Sequence, residues 1–414
     1  MSPAIDLGAP VAQQAAMDDA IAMPELRLLP GRHKRVRGGH PWVFSNEVAM
    51  DAGARALPPG GLVRLASATG EFLGVAGFNP HTLIAARVLA HDPATVVGRQ
   101  FLAGRLAAAL ALRERLYPGG FYRLVHAEAD GLPGIVVDRC GGVLGVQLNT
   151  ATAERLRGEL LAALTAVLGP SRIVLRNDSP SRALEGLALA VEEAGPGGGG
   201  PVEIVENDAV FFADPGAGQK TGWFFDQREN RARVASLAAG ARVLDAYSYA
   251  GGFGVLAAVR GARQVLLLDR SEAALELALA AARRNGVAAR CEARRGEAFA
   301  ELERLGAAGE RFDIVVADPP AFVKSRKDLG AGLRGYRKLA RLSAALAAPG
   351  GFLFAASCSH HVDAVAFAAE VARGVADARR AGRVLAVTGA GMDHPVHPLL
   401  PESAYLKGLL MQLD

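Results

Sequence analysis

Two short stretches of this chain carry residue types that can do chemistry. The apolar run Phe312-Asp313-Ile314-Val315-Val316-Ala317 ends in Asp318-Pro319-Pro320-Ala321-Phe322. A second apolar run, Gly351-Phe352-Leu353-Phe354-Ala355-Ala356, ends in Ser357-Cys358-Ser359. In an open α/β sheet, ligands bind in the crevice at the carboxyl ends of the strands. A carboxylate, a stiff Pro-Pro turn and a thiol at one such edge suit nucleophilic attack on a flat base.

The elements that must position these residues follow from the pattern of the chain. From about Asn207 onward, apolar strands at Arg242–Tyr247, Gln264–Asp269, Asp313–Ala317 and Phe352–Ser357 alternate with helical segments at Gly254–Arg260, Ser271–Asn285 and Arg334–Leu346. That alternation predicts a parallel sheet covered by helices on both faces. Val384–Val387 and Tyr405–Gln412 are expected to add strands. Upstream, Gly61–Leu65, Phe72–Phe78 and Leu83–Leu89 are short β-like runs with Gly and Pro punctuation, which predicts a small β-barrel. Between the two blocks come an expected helix over 95–116, strands at Tyr122–His126, Gly134–Asp138 and Val143–Leu148, a helix over 153–168, and a strand at Ile173–Arg176. Gly195-Pro196-Gly197-Gly198-Gly199-Gly200-Pro201 can sustain neither helix nor strand and reads as a loop. The expected division is therefore an extension over 1–23, rich in Ala and taken as disordered, then domains over 24–94, 95–206 and 207–414.

With 414 residues, 50% of them hydrophobic, the chain can bury more than one core. Its net charge of +4 is too mild to demand nucleic acid, so local clusters matter more. Cys140, Cys291 and Cys358 form no metal-binding spacing, which argues against a zinc site and fits a reducing cytoplasmic setting. Cys140 and Cys291 read as buried small hydrophobes. No run approaches the ~20 apolar residues needed to cross a bilayer, and the first residues lack the pattern of a secretory signal.

A ligand site is written into Val243-Leu244-Asp245-Ala246-Tyr247-Ser248-Tyr249-Ala250-Gly251-Gly252-Phe253-Gly254. It combines a strand, a turn of small residues and a helix start, where glycines let the backbone close on a ligand. The next strand ends at Asp269, an acid placed to take a ribose diol. The G-x-G-x-x-G spacing of a dinucleotide site is absent. Asp245 would sit badly against a pyrophosphate and suits a cationic sulfonium and an ammonium better. A plain tight turn is the competing reading of the glycines, and it is weakened by the register of the two acids.

The motifs resemble those of a known family. Gly218-Gln219-Lys220-Thr221-Gly222-Trp223-Phe224-Phe225-Asp226-Gln227-Arg228-Glu229-Asn230-Arg231 resembles a segment of the bacterial 23S rRNA 5-methylcytosine methyltransferases of the RlmI type. His40-Pro41-Trp42-Val43-Phe44-Ser45 looks like the opening of that family's RNA-binding PUA domain. The Asp318 and Cys358 motifs, Asp393-His394-Pro395-Val396 and Tyr405-Leu406-Lys407-Gly408 extend the likeness over nearly the whole chain. The resemblance implies S-adenosylmethionine as methyl donor. It also implies a PUA domain, a small mixed α/β domain and a Rossmann-like class I methyltransferase domain, in that order. By the same resemblance Gln227 and Arg228 close the cofactor pocket, while Asp245, Ser248 and Gly251 line its amino-acid end. Asp269 takes the ribose, Glu297 lies near the adenine, and Asp318 borders the cofactor. Ala321 departs from the Lys of many relatives.

Chemistry on cytosine C5 accounts for the two opening motifs. C5 is a poor nucleophile until a thiolate adds at C6 and makes it enamine-like. Cys358 is the candidate nucleophile. Asp318 is placed to hold the N3 and amino edge of the base and to offset the charge that develops on the ring. Pro319 and Pro320 would support the flat base, with Phe322 stacking nearby. The base for the C5 proton stays open among His360, His361 and water. His394 reads as a structural histidine.

RNA contacts are expected at two places. One is the basic run Lys324, Arg326, Lys327, Arg334, Arg337, Lys338 and Arg341, which reads equally well as a solvated helix face. The other is the front cluster around Lys34 and Arg35 with Trp42 and Phe44. Competing readings are an RNA amino-group or guanine N7 methyltransferase, which needs no cysteine, and a non-catalytic RNA-binding assembly factor. A nicotinamide dehydrogenase lacks its glycine pattern. The expected partner is 23S rRNA or a large-subunit precursor, with no metal and no membrane. The target cytosine and the oligomeric state, a homodimer included, are left open.

Overall fold

A computed structural model of the protein describes residues 23–195, 198–218 and 221–414. The extension expected over 1–23 lies outside these residues except for Met23, as do Gln219 and Lys220 of the family-like segment and two residues of the Gly-Pro loop. The chain divides into two units. One reaches Gly198 and takes in His397–Leu400, and the other comprises Gly199–Val396 and Pro401–Asp414.

The first unit holds two five-stranded sheets. β1 (Glu25–Arg27), β2 (Trp42–Phe44), β3 (Gly61–Ala66), β4 (Phe72–Phe78) and β5 (Ile84–Ala90) form the first, in the order β1-β3-β4-β5-β2. Leu26, Val43, Val63, Leu65, Phe78 and Ala86 close its core. β6 (Phe121–His126), β7 (Ile135–Cys140), β8 (Val143–Leu148), β9 (Arg172–Asn177) and β10 (Ala190–Ala194) form the second, in the order β10-β9-β8-β7-β6. The helices Arg99–Leu116 and Arg157–Leu168 add Leu102, Leu106, Leu160 and Leu164 to the core that it shares with Val137 and Val146.

Two helix readings are corrected here. The helix expected from Thr95 starts at Arg99, behind Gly98 in an extended conformation. The helix expected over 153–168 is broken at Leu156, whose ψ of 9° leaves the helical range and separates Ala151–Arg155 from Arg157–Leu168.

The second unit opens with the hairpin β11 (Val202–Glu206) and β12 (Ala209–Ala213), whose tight turn is made by Asn207 and Asp208 at positive φ. The domain boundary expected at 206/207 would cut this hairpin, so it is corrected to lie upstream, near residue 199. A seven-stranded sheet follows, built from β13 (Arg242–Ala246), β14 (Gln264–Asp269), β15 (Cys291–Arg295), β16 (Phe312–Ala317), β17 (Ala347–Ser357), β18 (Gly382–Thr388) and β19 (Lys407–Leu413). Their order is β15-β14-β13-β16-β17-β19-β18, with the first five parallel and β19 antiparallel to both of its neighbours.

The order in which strands are added reverses between β13 and β16, and such a switch point opens a crevice at the carboxyl ends. In register, Ala246 pairs with Ala317 and Ala317 with Ala355. The residues just beyond them, Tyr247, Asp318 and then Cys358, therefore leave the sheet on one edge. The central strands read as continuous apolar runs because both of their faces are buried.

Candidate active site

The β13 edge is strained and under-satisfied. Tyr247 and Tyr249 both have positive φ, of 64° and 48°, which is uncommon for side chains of this size. Such outliers gather where surrounding structure holds them for a purpose. Between them the Ser248 amide donates to the Leu268 carbonyl at 3.0 Å. The Ser248 hydroxyl is buried with no hydrogen-bond partner among the described residues. A buried hydroxyl in that state is costly and calls for a ligand.

Asp245 is buried and accepts the Gly254 amide at 2.7 Å. Burial pushes its carboxyl up to about 7; Asp318 and Asp269 add to the rise, while the Gly254 amide and Arg231 oppose it. Asp269 accepts the amides of Tyr249 at 2.9 Å and Ser271 at 2.8 Å. A cation is the natural complement to this cluster of acids. The residues present thus fit S-adenosylmethionine through the orphaned Ser248 hydroxyl and the acids. The glycines also have a packing role. A Cβ on Gly254 would lie 2.4 Å from Leu267 Cδ2, and one on Gly251 (φ +80°) would lie 2.8 Å from the Ala278 and Val255 side chains. They let the helix pack closely against protein. Glu297 is exposed, at the start of the helix Ala298–Ala307.

The 225–231 segment braces this edge. Gln227 is buried and donates to Asp318 Oδ2 at 2.9 Å, and Asn230 donates to Gln227 Oε1 at 2.6 Å and to the Gly389 carbonyl at 3.2 Å. Arg228 lies over the Phe225 ring at 5.6 Å, with its guanidinium 3.9 Å from Glu206. Arg231 donates to Glu206 at 2.7 Å and covers Trp223. Asn230 and Arg231 received no role from sequence, since Gly389 and Glu206 lie far from them along the chain.

The Cys358 edge is saturated with hydrogen bonds. Tyr336, buried on the helix Leu329–Leu346, accepts from the Ser357 hydroxyl at 2.8 Å and pairs with the Ser359 hydroxyl at 2.8 Å. The Val323 amide donates to Ser359 Oγ at 3.2 Å, so the loop after Asp318 is tied to the same hub. Burial raises the Tyr336 phenol, which keeps it a neutral hydrogen-bonding group. The Tyr336 ring packs on Phe322 at 4.8 Å, and Phe322 stacks on Phe299 at 5.9 Å. Phe322 is thereby built into an aromatic row. Pro319 is buried and Pro320 exposed.

Cys358 is half-buried between its two pinned serines, whereas Cys140 is fully buried. Cys291, expected to be fully buried, is half-buried on β15, the edge strand of the sheet, and burial pushes its thiol up to about 11. Nearby, the Tyr405 phenol donates to Asp226, and the Tyr405 ring stacks on His360 at 5.2 Å. His394 and Asp393 form a buried pair at 2.8 Å.

The basic groups divide. Arg337 pairs with Asp377 at 2.5 Å and Lys338 with Glu303 at 2.9 Å, while Lys324, Arg326 and Lys327 are exposed. In the first unit Lys34 is exposed, and Arg35 bonds Glu47 at 3.0 Å and the Trp42 carbonyl. Trp42, expected as a stacking surface, is half-buried and donates its indole N–H to Glu128 at 2.8 Å. That bond ties the first sheet to the connection between β6 and β7.

Comparison with known proteins agrees with this geometry. Residues 182–410 match the S-adenosylmethionine-dependent methyltransferase family, and residues 26–91 match a PUA-like domain. Ribosomal RNA large subunit methyltransferase I of Erwinia tasmaniensis is 36% identical over 395 residues, covering 92% of this chain and 98% of the relative. The protein of the same name from Klebsiella pneumoniae is 35% identical over 404 residues, covering 95% and 98%. The chain belongs to this family. It is an S-adenosylmethionine-dependent methyltransferase with a PUA-like domain at its front.

Among solved structures, a putative S-adenosylmethionine-dependent methyltransferase from Streptococcus mutans shares the fold with a TM-score of 0.78 at 20% identity, covering 94% of this chain and all of that one. Another putative methyltransferase, complexed with SAH, superposes with a TM-score of 0.79 at 20% identity and the same coverage. Among the described residues no helix is long and apolar enough to cross a membrane, and no cluster of His, Cys, Asp and Glu could hold a metal ion.

Proposed function

We propose that this family member methylates cytosine C5 in large-subunit ribosomal RNA, with Cys358 as the nucleophile. The observation that carries the reading is the placement of a half-buried thiol, held on both sides by Ser357 and Ser359, one strand away from Asp318. The relatives, ribosomal RNA large subunit methyltransferases, supply ribosomal RNA as the substrate class.

Gln227 fixes one Asp318 oxygen, and the carboxyl so oriented meets the N3 and amino edge of a base. The Cys358 thiolate forms a bond to C6, and the displaced π pair makes C5 nucleophilic. S-adenosylmethionine, when bound against Asp245, Ser248, Gly251, Asp269 and Glu297, supplies an electrophilic methyl group. C5 gains that methyl, its proton then leaves to a base, and the electron pair returns as the S–C6 bond breaks. His360, held against the Tyr405 ring, and water are the candidate proton acceptors. Arg228 acts on the pocket through the Glu206 hairpin. Lys324, Arg326 and Lys34 are the exposed cations offered to phosphates. Reaching a paired cytosine requires flipping it out of its stack.

The test is tritium release from rRNA labelled at cytosine C5, with a Cys358→Ala control. Release by the wild type and none by the variant supports C5 attack through a thiolate adduct. Methyl incorporation without release would move the target to an amino group or N7, and Cys358 would be structural.

A further inference from the structure

Lys407 has no part in the chemistry described so far, yet it is a buried cation beside the nucleophile. β19 runs antiparallel to β17 and places Lys407 opposite Ser357 in register. The residue is 7% exposed, and Nζ donates to the Ser359 carbonyl at 2.6 Å and the Tyr405 carbonyl at 2.7 Å. An ammonium carries three donors, so these two carbonyls leave one hydrogen over. Neutral carbonyls do not balance a buried charge, which needs an anion. Burial lowers the Lys407 pKa, and the negative charges that oppose this are those of Cys358 and Asp363.

We propose that Lys407 holds Cys358 as a thiolate before RNA arrives. The thiol proton passes to solvent and the ammonium keeps its own, so the pair is anion and cation on adjacent strands. A lysine beside a cysteine stabilises the reactive anion in this way. The proposal rests on the reading of Cys358 as nucleophile and deepens it. Lys407 acts through Cys358, so it is a positioning residue.

The other ionisable groups around the pair do not supply the same charge. Tyr336, from the helix packed beneath, is kept neutral by burial. Asp363 caps the helix Ala364–Asp377 by accepting the Ala366 amide at 2.7 Å, and it favours the charged lysine. Asp318 ends the neighbouring strand and Asp226 lies behind Tyr405, and both are acids that oppose a thiolate. His360 and His361 follow Cys358 directly and are exposed.

Alkylation of Cys358 by iodoacetamide, read by mass spectrometry of its peptide across about pH 5 to 10, measures the thiol directly. The full-length protein is used without RNA or S-adenosylmethionine. Cys140 and Cys291, both raised by burial, serve as internal references. We expect a Cys358 midpoint at least about one unit below the ordinary thiol value of ~8.5. Lys407→Gln keeps hydrogen-bond donors for the carbonyls but removes the charge, and should raise the midpoint by about one unit, a tenfold loss of thiolate near neutrality. Lys407→Arg should keep it low. A wild-type midpoint at or above ~8.5 would overturn the proposal. So would a Lys407→Gln protein that melts like wild type with an unmoved midpoint. Should Lys407→Gln fail to fold, the wild-type midpoint and Lys407→Arg decide the matter. Cys358→Ala that still forms 5-methylcytosine would sink the nucleophile and leave the midpoint result standing.

Discussion

The two halves of the crevice solve opposite problems. The β13 edge, with Ser248, Asp245 and two left-handed tyrosines, is poorly satisfied on its own. The β17 edge, with Cys358, is tied down through Tyr336, Ser357, Ser359 and Val323. An edge that must take up a ligand keeps unmet polar groups for it. An edge that must present one atom at a fixed place satisfies everything around that atom. The two parallel strands that flank β16 thus carry one adaptable surface and one rigid one.

Breaking the glycine packing on the first edge should have the largest effect. Gly254→Ala sets a Cβ against Leu267, Val265 and Asp245, and the helix Gly252–Val259 must shift. We expect a loss of about 1–3 kcal/mol in stability and a marked fall in affinity for S-adenosylhomocysteine, read by thermal melting and calorimetry. Alkylation of Cys358 should stay near wild type. If it fell equally, the two edges would not be separable.

Tyr336→Phe strikes the second edge. It removes the shared partner of two buried serine hydroxyls, which costs about 1–3 kcal/mol. Methyl transfer in a single turnover should slow while calorimetry finds cofactor affinity unchanged. Equal losses in both would erase the contrast.

The gentlest probe is pH. The carboxyl of Asp245 is raised by burial to about 7. The fold therefore favours its neutral form, and the stability it contributes is present at low pH and lost as pH rises toward 7. A cationic ligand favours the charged form, so cofactor affinity should rise over the same range. Asp245→Asn should flatten both trends in melting and calorimetric titrations. A wild-type affinity independent of pH would remove Asp245 from the ligand.

Much of this was legible in the chain because the strands end in the residues that do the work. Asp245, Asp269, Asp318 and Cys358 each follow an apolar run long enough to be recognised as a buried strand. β15, with sequence Cys-Glu-Ala-Arg-Arg, was not recognisable, since an edge strand needs no apolar face on its open side. The hairpin of β11 and β12 was missed for a related reason, its register being held by tertiary contacts of Glu206 with Trp223 and Arg231. Tyr336 meets Ser357 and Ser359, and Lys407 meets Ser359, across 21 to 48 residues of chain, a distance over which local patterns carry no information. Trp42 misled because its aromatic ring suggested an outward role, while its N–H had an inward partner in Glu128.

The tyrosine hub also constrains how this chain can change. Each of Tyr336, Ser357 and Ser359 is buried, and removing the Tyr336 hydroxyl takes a partner from both serines at once. The first substitution is thus the expensive one, and the second and third cost less, because the bonds they would break are already gone. Intermediates between this triplet and an apolar packing of the same volume are less stable than either end. A lineage that starts with all three hydroxyls is therefore held to them by the depth of the valley it would have to cross.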